Sequence, residues 1–161
     1  MVDTRTKILF EPWGGAMFRS IVVGTDGSPT ATEAVRQATA LARLGGGTVH
    51  LVSAYRPLES YATVAEALPP NVHDLIDPAG IARGVLDEAA AKVRAEGVEC
   101  EVHGRAGDAA QALIEVAEAN GADVIVVGNK GMHSKARFLL GSVPNKVSHH
   151  APCAVLIART A

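Results

Sequence analysis

The sequence predicts an α/β fold of Rossmann-like type, a three-layer α/β/α sandwich around a five-stranded parallel sheet, and three observations carry that reading. Short apolar runs alternate with longer segments of helical period along the chain, the pattern of strands joined by crossover helices. The runs Ile21-Val-Val23 and Val124-Ile-Val-Val127 are apolar without alternation, as strands buried on both faces are. Each of these two runs leads at once into glycine and a polar turn, the place where parallel sheets bind ligands.

The elements follow in order. Ser20 to Gly24 is the first strand. Thr25-Asp26-Gly27-Ser28-Pro29 is a turn into a helix, with Ser28 as N-cap and Pro29 at the first helical position. Val35, Ala38, Leu41 and Ala42 form that helix's apolar stripe, and Gly45-Gly46-Gly47 stops it. Thr48 to Ala54 is the second strand. Residues 55–77 contain Pro57, Pro69 and Pro70 and show no period. A loop that long points to function, and it is the candidate lid over a ligand, with a short helix expected around residues 64–68. A second helix begins near Pro78, places Ile81, Val85, Ala89 and Val93 on one face, and ends at Gly97. Val98 to His103 is the third strand. Asp108 caps the next helix, striped by Leu113, Ile114 and Ala117 and closed by Asn120-Gly121. Val124 to Val127 is the fourth strand, Ser142 caps a short helix to about His149, and Ala154 to Ile157 is the fifth strand.

Composition narrows the function classes. A chain of 161 residues is one domain with enough length for a full core, and 48% hydrophobic with 4% aromatic residues implies packing by Ala, Val and Leu. A net charge of −2 argues against nucleic acid as the main partner. No apolar run approaches the roughly 20 residues needed to span a bilayer, and the N-terminus lacks a signal-peptide pattern, so a cytoplasmic location is expected. Met17-Phe-Arg-Ser-Ile21 reads as a natural start, which makes residues 1–17 an N-terminal extension and residues 18–161 the domain. Cys100 and Cys153 show no CxxC or Cys/His spacing and read as buried thiols. His149-His150 suits a helix C-terminus. No His/Asp/Glu set shows metal-ligand spacing, so Mg or Mn is expected only in company with bound phosphates.

The ligand signal lies in the last third of the chain. Gly128 and Gly131 follow a buried strand, where glycine lets a backbone approach a ligand closely, and Gly141-Ser142 opens a helix whose free N–H groups suit an anion. All 17 acidic residues lie at or before Asp123, whereas Lys130, Lys135, Arg137, Lys146 and Arg159 follow it. The chain is therefore −7 up to Asp123 (10 basic, 17 acidic) and +5 beyond, a field that favours a polyanionic small ligand.

Three separated motifs in this order resemble the universal stress protein family in its nucleotide-binding branch. Gly128, Gly131, Gly141 and Ser142 meet the family pattern Gly-x2-Gly-x9-Gly-[Ser/Thr] in full. Ile21-Val-Val-Gly-Thr-Asp-Gly-Ser28 is similar to its first strand and acidic turn, and Pro152-Cys-Ala-Val-Leu-Ile157 to its last strand. The resemblance implies strand order 3-2-1-4-5 and an ATP site in which Asp26, flanked by Gly24 and Thr25, meets the ribose. It puts the Val52 backbone at the adenine, Val127, Gly128, Lys130 and Gly131 beside ribose and phosphates, and Gly141, Ser142 and Val143 on the phosphates. It also implies a homodimer through the strand from Ala154 to Ile157. Asn129-Lys130 departs from the usual Ser-Arg or Ser-His and leaves ATP and cyclic AMP both open. No Walker loop, carboxylate pair or Ser/His/Asp arrangement is present, so the reading is an adenine-nucleotide-dependent stress sensor or regulator with at most slow ATP hydrolysis. A weak ATPase or a nucleotide-free protein-interaction module are the alternatives.

Overall fold

The computed structural model describes residues 18–57, 77–129 and 140–159. Its centre is strand β1 (Ser20–Gly24), in which Ile21, Val22 and Val23 have no exposed surface. Strand β2 (Thr48–Tyr55) pairs with one edge of β1 and β4 (Val124–Gly128) with the other, both parallel. Strands β3 (Glu99–Ala106) and β5 (Ala154–Ala158) complete a parallel sheet of order β3-β2-β1-β4-β5, the order expected. Strands β2 and β3 run further than their apolar runs, to Tyr55 and Ala106, because their eight-residue ladders pair in full.

Helices α1 (Pro29–Gly45) and α2 (Pro78–Ala95) cover one face of the sheet. There Ala34, Val35, Ala38 and Ala42 of α1 and Leu86, Ala90 and Val93 of α2 pack on Ile21, Val23, Val49, Leu51 and Val126. Helices α3 (Ala109–Ala119) and α4 (Ser142–His150) cover the other face, with Leu113, Val116, Ala117 and Val147 on Val22, Val52, Ile125 and Val127. Two helix starts are capped as their residues predict: Ser28 Oγ accepts from the Ala31 N–H at 3.2 Å, and Asp108 Oδ1 from the Gln111 N–H at 3.0 Å. The first helix ends at Gly46, whose φ of +63° is the left-handed conformation that glycine adopts without strain.

Three expectations are corrected. On α2, Ile81 is 66% exposed and Val85 only half-buried, while Ala82, Leu86, Ala89, Ala90 and Val93 are inside. A constant four-residue step drifts off one face of a helix with 3.6 residues per turn, and the buried set alternates steps of four and three instead. At α4 the N-cap is Gly141, with Ser142 one position inside and making no side-chain cap bond. The Cys100 and Cys153 thiols are half-buried, not fully buried, and burial raises the pKa of both. Residues 1–17, and residues 58–76 within the candidate lid, lie outside the described residues.

Asp123 joins the lower ends of the two central strands. Its Oδ2 accepts from the N–H groups of Arg19 and Ser20 at 2.7 and 2.9 Å, and its own N–H donates to the Ser20 carbonyl at 2.8 Å. Replacing the carboxylate by Asp123→Ala leaves two donors to solvent and should lower unfolding free energy by about 1–2 kcal/mol, read by urea titration. A change below about 0.3 kcal/mol would show that the clasp does not hold β1 to β4.

Asp108 ties α3 to α4 as well as capping α3. Lys146 Nζ stands 3.1 Å from Asp108 Oδ1, and the backbone N–H of Gln111, followed by Lys146, holds the carboxyl below the ordinary carboxylate range. A lowered folded-state pKa stabilises the fold above the unfolded value, near 3.8, and that stabilisation is lost as pH falls through the folded value. Asp108→Ala should therefore cost about 1 kcal/mol at neutral pH and progressively less below about pH 4. Equal losses at pH 7 and pH 3, compared by denaturant titration, would contradict this account.

Candidate functional site

The order of strands reverses between β1 and β4, so a crevice opens at their carboxyl ends. On one side of it, β1 closes with Gly24 and passes through Thr25-Asp26-Gly27 into α1. The Thr25 N–H donates to the Val52 carbonyl at 2.8 Å, which fastens the turn to β2. Asp26 is exposed, and its Oδ1 accepts from the Ser28 N–H at 3.0 Å. Gly27 has φ +78°, and a Cβ there would meet Val85 at 3.3 Å, so both conformation and space call for glycine. Val52 as a whole residue is 2% exposed and belongs to the core.

On the other side, β4 ends in Val127 and Gly128. The Asn129 N–H donates to the Ala158 carbonyl at 3.0 Å, and the Gly141 N–H donates to the Asn129 carbonyl at 3.1 Å. These two bonds bring the start of α4 against the end of β4, although twelve positions separate the two residues in sequence. The first internal bond at the start of α4 runs from the Asn145 N–H to the Gly141 carbonyl at 3.0 Å. Pro144 has no N–H, and the N–H groups of Ser142 and Val143 have no acceptor among the described residues. Ser142 is exposed, so its hydroxyl joins two amides without an acceptor among the described residues at a helix N-terminus.

The structure thus brings Gly24, Thr25, Asp26 and Val52 together through the Thr25–Val52 bond. It also brings Val127 and Gly128 to Gly141, Ser142 and Val143 through Asn129. Lys130 and Gly131, with Lys135 and Arg137, lie outside the described residues. Lys146, read from sequence as a surface charge, is engaged with Asp108.

Sequence spacing missed one grouping of chemistry-bearing side chains. His50 on β2 is in register with Glu101 on β3, and Val52 with His103. All three polar side chains therefore leave the sheet on the face that carries Val22 and Val52. His50 Nδ1 is 3.2 Å from His103 Nε2, and Glu101 Oε2 stands 3.5 Å from the first and 3.9 Å from the second. Burial lowers the pKa of both imidazoles, against the opposing pull of Glu101, and the neighbouring His50 and Arg105 lower His103 further. Both rings are accordingly neutral at pH 7, and the contacts with Glu101 are not full ion pairs. The signal was available only as an alternating Glu-x-His on one strand and a histidine on its neighbour, joined by a register that sequence does not state.

Comparison with known proteins fits this architecture. The model of the universal stress protein family matches residues 17–159. Universal stress protein Rv1636 of Mycobacterium tuberculosis is 35% identical over 146 residues, covering 89% of this chain and 97% of that protein. Among solved structures, a universal stress protein in complex with cAMP is 32% identical with a TM-score of 0.65, over 89% of this chain and 98% of the other. The universal stress protein of Archaeoglobus fulgidus in complex with dAMP is 25% identical with a TM-score of 0.61, over 88% and 98%. The chain belongs to the universal stress protein family.

Proposed function

We propose that this chain binds an adenine nucleotide in the crevice between β1 and β4 and acts as a nucleotide-dependent regulator in the stress response. The observation that carries the reading is the start of α4, where the amides of Ser142 and Val143, without an acceptor among the described residues, are held near the end of β4 by the Gly141–Asn129 bond. Donors fixed in this way meet a phosphate without further ordering, and the helix N-terminus adds a favourable partial charge. Gly24, Thr25 and Asp26 border the ribose from the opposite side, with the second carboxylate oxygen of Asp26 turned to a sugar hydroxyl. The Val52 backbone meets the base, and Val127, Gly128, Lys130 and Gly131 flank ribose and phosphates. Mg or Mn enters with the phosphates, and any turnover of ATP is slow.

A second reading, cyclic AMP as the ligand, has one observation in its favour: the 32% identical relative was solved with cAMP. The first test is mass spectrometry of the small molecule released on denaturing freshly purified protein, paired with titrations of ATP and cyclic AMP. Ser142→Pro makes that test specific. Gly141 already has the extended conformation (φ −60°, ψ 161°) that precedes proline, and proline is favoured at the first helical position. The variant should keep the wild-type melting temperature while nucleotide affinity falls at least about tenfold, because one N–H and the hydroxyl are lost. Unchanged affinity would place the phosphates elsewhere, and no bound nucleotide with no titration signal would favour a partner-binding module.

We also propose a homodimer through β5. That strand pairs with β4 on one side only, and Leu156 and Ile157 are 36% and 41% exposed, an apolar edge of the kind that soluble proteins cover. Ile157→Lys should shift the protein from dimer to monomer in light scattering, with far-ultraviolet circular dichroism unchanged. A wild-type protein that is monomeric at tens of micromolar would refute the dimer.

A further inference from the structure

We propose that His50, Glu101 and His103 form a zinc-class metal site, open at its fourth position, that clamps the edge strand β3 onto β2. The site lies on β2 and β3 and needs no nucleotide. The three donor atoms are separated by 3.2, 3.5 and 3.9 Å. Ligands about 2.0–2.2 Å from a tetrahedral zinc ion lie about 3.3–3.6 Å from one another. Neighbouring ligands of an octahedral magnesium or iron ion lie closer, at about 3 Å. The point equidistant from the three atoms falls about 2.1 Å from each, and an ion held there would replace the His50–His103 hydrogen bond as the rings turn toward it.

Donor chemistry gives the same answer. Two imidazole nitrogens and one carboxylate oxygen suit zinc and exclude a calcium or magnesium cage, which requires mostly oxygen. The scaffold is rigid as well. His50 is 5% exposed on a strand paired along both edges, and its partner Glu101 is fixed opposite it by register. The Glu101 side chain is 60% exposed, so an ion has an entry path and a solvent-facing fourth position for water. Binding would join residues 50 and 103 on neighbouring strands and stabilise β3, most of whose residues are otherwise exposed.

The test uses the full, untagged chain, freed of metal by chelator and of nucleotide by dialysis, titrated with Zn2+ and separately with Co2+. The expected result is one Zn2+ per chain by calorimetry, a melting temperature several degrees higher, and the intense visible bands of tetrahedral cobalt. Glu101→Gln should weaken Zn2+ binding at least about tenfold, and His103→Gln should abolish saturable binding, both in proteins that melt cooperatively without metal. The double change His149→Gln with His150→Gln, at the far end of α4, should leave affinity and stoichiometry as they were. No saturable binding, binding that survives His103→Gln, binding lost in the His149 and His150 double variant, or the weak spectrum of octahedral cobalt would each overturn the site.

Discussion

Everything in this molecule is referred to β1, a strand paired along both edges and covered on both faces. Ile21, Val22 and Val23 are wholly buried, and their side chains alternate between two cores, Ile21 and Val23 toward α1 and α2, Val22 toward α3. Burial of each such side chain is worth about 1.5–3 kcal/mol, so no register of β1 other than the native one satisfies both faces at once. A strand so enclosed has no room for chemistry along its length. Polar function is pushed to its ends, and the lower end is taken by the Asp123 clasp. The upper end is where the turn at Thr25 begins, and it is the end at which the nucleotide is proposed.

That constraint explains why the crevice is built so largely of backbone. The reversal of strand order spreads the connections that leave β1 and β4, and what lines the gap is a turn on one side and a helix start on the other. Both are fixed by main-chain bonds, Thr25 to Val52 on one side and Asn129 to Ala158 and Gly141 on the other. Pro144 sharpens the second side, because it removes one amide and leaves a pair, at Ser142 and Val143, without an acceptor among the described residues. Recognition by backbone asks mainly for glycine and small residues in sequence, and for this reason the glycine pattern carries a strong signal while few individual side chains do.

Sequence reasoning succeeded where a local rule determines the outcome and failed where geometry between distant segments does. The unbroken apolar runs at residues 21–23 and 124–127 marked the two central strands. Ser28 and Asp108 marked helix starts, because each N-cap is a bond to an amide three positions on. The α2 stripe was misjudged because Ile81 and Val85 are more hydrophobic than Ala82 and Ala90, yet the helix turns the alanines inward. Ser142 was assigned a cap that Gly141 performs, a shift of one residue of the kind that helix ends permit. The order of strands came from family resemblance, since periodicity does not state which strands are neighbours. The His50, Glu101 and His103 trio was hidden for the same reason, as 53 residues separate the two histidines in the chain.

The presence of that trio is itself a physical question. His50 occupies an inward position on β2, two residues before Val52, on a face that elsewhere holds Val22, Ile125 and Val127. A valine there would pack without any polar group to satisfy, and burying an imidazole is unfavourable unless its nitrogens find partners. They do, for no buried side-chain nitrogen or oxygen among the described residues lacks a hydrogen-bond partner, but those partners must come from β3. Strand β3 is an edge strand with most of its residues exposed, so it tolerates Glu101 and His103 beside the buried His50. The polar group thus sits at the one place on this face where water is near enough to satisfy its outer atoms and the core near enough to fix its inner one. The inner positions of β1 and β4 are aliphatic throughout, and histidine enters the sheet only on β2 and its edge neighbour β3, away from the two strands that centre the fold.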